Sequence, residues 1–306
     1  MQTEQPTNGC PVITRRRESQ AAQQRLGRLL RRAADERRAQ GRYSEAERLY
    51  LRALALAELV CGDEEVAVLC NNLAVLYKYT GKFDEAERLY RRALPLMEQS
   101  LGPEHPEIAT IYHNLGGLEH ARGRFAEGEP PARRSVEIRE RALGPNHPDV
   151  AADIAALAGI LDGQGRYDES EPLYLRALAI FEREYGPEHY EIAVNLNNLA
   201  ALKYAQGRLE EAERLYRRAL AIKEKLLTDE HPDVAVTLNN LAVLSKSQGR
   251  YIEAEAMYRR ALAIFEKSLG EGRPKFISCR NNYASLMREM EKEKNPVVDG
   301  HSPAAK

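Results

Sequence analysis

Hydrophobic positions along this chain fall in short blocks with helical spacing. In residues 190 to 227, Leu196, Leu199 and Ala200 stand at i, i+3 and i+4, and Ala212, Leu215, Tyr216, Ala219 and Leu220 repeat that spacing further on. Such spacing puts each set on one face of a 3.6-residue helix. The pattern predicts a helix from about Glu191 to Gln206 and a second from about Glu210 to Leu227, broken at Gly207-Arg208. Gly207 sits where the first helix has to stop, a place that favours a left-handed backbone and so a residue without Cβ.

The block is copied. Gly41, Gly81, Gly123, Gly165, Gly207 and Gly249 follow one another at 42-residue steps after a first step of 40, each trailed by Arg or Lys and then Tyr, Phe or Leu. A fixed period of this size marks one supersecondary unit copied and stacked, so function belongs to the surface of the stack and not to a single pocket. Linkers such as Leu101-Gly-Pro-Glu-His-Pro106 and Leu143-Gly-Pro-Asn-His-Pro148 separate the units; Gly and Pro end one helix, and the second Pro opens the next ahead of an acid. The linker histidines His105, His147, His189 and His231 lie too far apart to share a metal ion and read as helix-start residues. The expected organisation is a leader over residues 1–19 without structure, a solenoid over 20–291 made of six helix pairs and a last capping helix from about Pro274 to Glu291, and a disordered tail over 292–306.

The stretch VTLNNLAVLSKSQGRYIEAEAMYRRALAIFEKSLG, residues 236 to 270, carries Asn-Asn-Leu-Ala, Gly-Arg-Tyr-x-Glu-Ala-Glu and Tyr-Arg-Arg-Ala-Leu segments. These resemble the tetratricopeptide repeat in the 42-residue form found in kinesin light chains and their bacterial relatives, over about residues 24 to 291. The resemblance implies an all-α, right-handed α-solenoid of tandem TPR helix hairpins, whose first helices line a concave surface that takes peptides. Two features depart from relatives. Nothing before residue 42 is long enough for the heptads with which a light chain pairs with its motor. Arg31 and Asp35 stand where chaperone-tail binders place Lys and Asn for a terminal carboxylate, and Asp35 would repel that group.

Opposite the leucine stripe, the first helices carry Asn71-Asn72, His113-Asn114, Ala155-Ala156, Asn197-Asn198, Asn239-Asn240 and Asn281-Asn282. Asn costs roughly 0.5 kcal/mol relative to Ala inside a helix, so its recurrence needs a reason. Either these amides meet the main chain of a guest peptide, or each bonds a neighbouring repeat and keeps register. Three positions before the turn glycine the same face carries Lys78, His120, Asp162, Tyr204 and Lys246, with Arg288 at the matching place in the last helix. The candidate peptide groove is therefore Asn71, Asn72, Lys78, Asn114, His120, Asn197, Asn198, Tyr204, Asn239, Asn240, Lys246, Asn281, Asn282 and Arg288, with an acidic or polar protein segment as its guest.

Composition narrows the function. A net charge of -1 argues against a protein that coats nucleic acid. Residues 1 to 42 are locally basic, as a solvated end helix or as a docking patch for an acidic partner. Cys10, Cys61, Cys70 and Cys279 have neither zinc-knuckle nor disulfide spacing and fit a reducing cytoplasm. No apolar run is long enough to span a membrane. The Glu-x-Glu pairs stand four residues before arginines, as on an exposed helix, and no phosphate loop, dinucleotide fingerprint or nucleophile motif is present. The chain reads as a non-catalytic protein–protein interaction scaffold without cofactor or metal. The alternative is a regulatory or peptide-sensing subunit for an enzyme in another chain. Oligomeric state stays open.

One segment breaks the pattern. Residues 125 to 135 put Gly128 where Ala is usual, place Pro130 and Pro131 inside the expected helix and replace the stacking Tyr with Ala132; Gly159 and Gly163 follow. A proline in a helix interior costs about 3 kcal/mol. The expectation is a softer joint over 126–164, between blocks meeting near 143 to 148.

Overall fold

The computed structural model describes residues 11–269 and 274–294, which form thirteen helices and no strand. The chain falls into two compact units, Met1–Gly165 and Arg166–Lys306. The first holds α1 (Pro11–Ala39), α2 (Tyr43–Val60), α3 (Asp63–Tyr79), α4 (Phe83–Leu101), α5 (Pro106–Ala121), α6 (Phe125–Leu143) and α7 (Pro148–Gly163). The second holds α8 (Tyr167–Tyr185), α9 (Tyr190–Ala205), α10 (Leu209–Leu226), α11 (Pro232–Ser247), α12 (Tyr251–Leu269) and α13 (Pro274–Lys294). Within each unit consecutive helices pack as antiparallel hairpins, the all-α tandem-hairpin class that the period implies.

The ends differ from expectation. Residues 11–19, assigned to the leader, belong to α1, and 292–294 extend α13; the remaining leader and tail residues, 1–10 and 295–306, lie outside the described residues. The unit boundary falls at Gly165, beyond the joint expected near 143 to 148.

Two local devices set each hairpin. The turn glycines all adopt positive φ, from +72° at Gly41 to +78° at Gly81, which turns the chain where a Cβ would be strained. The linker histidines cap the following first helix: the backbone N–H of Glu107, Asp149, Glu191 and Asp233 donates to Nδ1 of His105, His147, His189 and His231 at 3.1 to 3.3 Å. That satisfies one of the N–H groups a helix start leaves unpaired. α3 starts without a side-chain cap behind Gly62, in the linker that is two residues short.

The core is repeated as well. Tyr50, Tyr90, Tyr174, Tyr216 and Tyr258, one in each of five second helices, are buried at the same register. Alanines at the crossings, among them Ala74 and Ala86 in the first unit and Ala200 and Ala212 in the second, are fully buried. The third hairpin solves the packing differently. A Cβ added at Gly116 would lie 3.2 Å from Cβ of Ala132 and 3.3 Å from the Gly128 carbonyl oxygen, so α5 and α6 close over the space that the missing tyrosine leaves. Despite Pro130 and Pro131 in its interior, α6 runs unbroken.

Candidate peptide groove

The asparagine positions of α3, α5 and α11 are half-buried, whereas α7 carries Ala155 and Ala156 there. In the first unit these amides bond one another from repeat to repeat. Asn114 Nδ2 donates to Asn71 Oδ1 at 2.9 Å, Asn71 donates to Asn72 Oδ1 at 3.3 Å, and Asn72 donates to Asp35 Oδ1 at 3.4 Å. Asp35 also accepts from the Tyr50 hydroxyl at 2.5 Å, so its charge is held by the fold. Burial and that carboxylate raise the Tyr50 hydroxyl above its ordinary range.

The second unit repeats the arrangement. Asn240 donates to Asn197 Oδ1 at 3.4 Å, Asn282 to Asn239 Oδ1 at 3.1 Å, and Asn239 to Asn240 at 3.3 Å. Asn197 is buried, Asn198 is half-buried and Asn281 is exposed. The second amide of one repeat thus donates to the first amide of the repeat before it. An amide offers two donors and two acceptor lone pairs, and the ladder uses only part of that capacity.

Two polar triads accompany the ladder, and the repeat pattern alone does not reveal them. Buried Asp153 on α7 accepts from Arg139 Nε on α6 at 2.7 Å and meets His113 Nδ1 on α5, also at 2.7 Å. Arg139 reaches Thr110 Oγ1 at 3.1 Å as well. In the second unit, buried Lys223 on α10 donates to Thr237 Oγ1 on α11 at 3.0 Å and to the Asp233 carbonyl at 3.3 Å, and Thr237 donates to Asn197 Oδ1 at 3.2 Å. Desolvation holds the Lys223 ammonium below the usual lysine range. Arg139 and Lys223 occupy a register filled elsewhere by Met97, Phe181 and Phe265. A cation in an otherwise apolar row, facing a polar residue on the next first helix, is the signal that marks both triads.

The row before the turns is unequal. Lys78 is half-buried, with Nζ against α5 where a Cβ added at Gly117 would be 3.3 Å away, and it forms no ion pair among the described residues. Burial alone lowers its pKa. His120 follows in the next repeat, its ring edge-on to Phe125 at 5.3 Å. Partial burial of the imidazole, and then the Lys78 charge, hold its pKa below the ordinary 6.5. Burial raises the Asp162 carboxyl. Lys246, by contrast, donates to Ser285 Oγ at 2.9 Å and pairs with Glu289 at 2.7 Å. Tyr204 packs half-buried beside Tyr216 and Leu241, and Arg288 is exposed.

Tandem hairpins with a polar row along their first helices define a helical-repeat protein. The sequence signature of the tetratricopeptide repeat matches residues 25–99, 64–140, 107–167 and 151–225, and a second signature of the same repeat matches 234–275. The chain belongs to the tetratricopeptide repeat family, and its repeats are of the kinesin-light-chain-like kind. It is similar to the nearly identical TPR-like repeats of a kinesin light chain from Podosopora anserina, at 26% identity over 65% of this chain and 95% of the other, with a TM-score of 0.52. It shares its fold with BtubC (BKLC) from P. vanneervenii at 24% identity over 93% and 95% of the two chains, with a TM-score of 0.51. The apo form of RapI shares it too, at 14% identity over 88% and 98%, with a TM-score of 0.60. No curated protein matches the chain.

Proposed function

We propose that this protein is a non-catalytic scaffold that holds an acidic segment of a partner protein along its first helices. A protein–protein interaction scaffold is what the family and its fold neighbours suggest. The observation that carries the finer reading is Lys78, a half-buried ammonium that meets no acid among the described residues while its counterpart Lys246 has Glu289. A carboxylate arriving there gains a charge-assisted bond in a partly desolvated site, where such bonds are strong. The asparagine row supplies further donors and acceptors, and the amide bonds between repeats hold them in fixed order. We place the protein in the cytoplasm, where the free thiols of Cys61, Cys70 and Cys279 stay reduced.

A random peptide library selected on the full chain tests this. Enrichment in Asp and Glu is expected, with affinity reduced about tenfold by Lys78→Gln and less than twofold by Lys246→Gln. A library without acidic enrichment, or equal losses in both variants, would reject the acidic guest.

A further inference from the structure

The row of stacking positions on α1 is left open. In the next two repeats the residues 15 and 12 positions before the turn glycine are Val66 and Leu69, then Ile108 and Ile111, and none is more than 6% exposed. The same positions on α1 are Leu26 and Leu29, which are 44% and 56% exposed. End repeats normally turn a polar face outward, because nothing stacks on them. Here the apolar identity persists at the front of the array. The other side of α1 is anchored: Gln20 and Gln24 donate to the Val60 carbonyl at 3.2 and 2.8 Å.

A second stripe runs alongside. Arg25, Arg28 and Arg32 follow at i, i+3 and i+7, parallel to Leu26, Leu29 and Ala33. The three arginines are exposed and form no ion pair among the described residues, whereas Arg31, Arg37 and Arg38 on the same helix meet Glu65, Glu45 and Asp35.

We infer that this face of α1 is a docking site for one amphipathic helix of a partner protein, with an apolar stripe flanked by Asp or Glu. Equivalent faces inside the array are each covered by a helix, which fixes the shape of the guest, and the unpaired arginines fix its charge. A second copy is a poor occupant. Face to face it would oppose its own Arg25, Arg28 and Arg32.

A stapled 15-residue probe helix with Leu at i, i+3 and i+7 and Glu in the adjoining row, and a copy with Lys in place of Glu, test the inference by fluorescence anisotropy on the full chain. The Glu probe binds, and the Lys probe binds at least tenfold more weakly. Leu26→Gln/Leu29→Gln weakens the Glu probe at least tenfold, as does Arg25→Gln/Arg28→Gln/Arg32→Gln, while Lys78→Gln in the peptide groove leaves it unchanged. Because all five side chains are exposed, neither variant should shift the melting temperature, and the two check each other. The inference fails if both probes bind alike or not at all, or if Lys78→Gln removes binding and the α1 variants do not. It also fails if sedimentation shows a dimer that the leucine variant dissolves, or if the arginines serve to bind phosphatidylserine vesicles while the Glu probe stays free.

Discussion

Lys78 and Lys246 stand at one repeat position, two turns beyond the first asparagine of their helices, yet they meet different fates. Lys246 is bonded to Ser285 and Glu289, and Lys78 lies across Gly117 and meets no acid among the described residues. The triads differ in the same spirit. The first unit closes its buried cation with a full carboxylate, Asp153, and the second closes Lys223 with a hydroxyl and a carbonyl. One repeated position can thus be closed by the fold or left without an acid from the described residues, and the neighbour 39 to 43 residues on decides which.

The comparison is most open to breakage at the triads. Asp153→Ala takes from the Arg139 guanidinium its closest carboxylate, leaving it Thr110 and a longer 3.6 Å pair with Asp149, and is expected to cost about 3 kcal/mol. Thr237→Val leaves Lys223 its Asp233 carbonyl and should cost about 1 kcal/mol. Equal shifts of the urea midpoints would erase the distinction between the units.

Next in size is Gly163. A Cβ there would fall 2.3 Å from the Phe125 ring, whereas the second unit carries Ala205 at the same register. Gly163→Ala should cost about 1–3 kcal/mol, since overpacking forces neighbours to move. Adding Phe125→Leu should restore part of that loss in calorimetry; no recovery would mean that the ring is not the obstacle. Gln164 ties the same corner through the Phe125 carbonyl at 3.1 Å, so the segment expected to be a soft joint has contacts particular to it.

The smallest expected effect is a proton at His120. Its folded pKa lies below the ordinary 6.5, so the folded state binds fewer protons than the unfolded one between those values. Stability from this group is therefore present above pH about 6.5 and declines as pH falls through the folded pKa. Lys78→Gln should move the His120 resonance midpoint upward, because it removes one of the two causes. A midpoint that does not move would show that burial alone sets it.

Much of this molecule is legible along the chain. The 42-residue step, the turn glycines and the leucine spacing place the hairpins, and α9 begins and ends within a residue of the helix expected from Glu191 to Gln206. The linker histidines read as helix starts and are the N-caps themselves. The fate of the asparagines was not legible. Whether Asn114 faces a guest or Asn71 depends on how far one hairpin is offset against the next, which sequence spacing inside one helix does not encode.

Secondary structure, hairpin order and buried stripes follow from the sequence by itself, because helix periodicity and backbone strain at a turn act over a few residues. Tertiary structure alone decided that the amides bond one another, that Asp153 closes over Arg139 and that Lys78 meets no acid among the described residues. Those outcomes require groups on different helices, 14 residues apart for Arg139 and Asp153 and 43 for Asn71 and Asn114, to arrive within about 3 Å, a distance at which hydrogen bonds form or fail on shifts smaller than the rise of one helical residue.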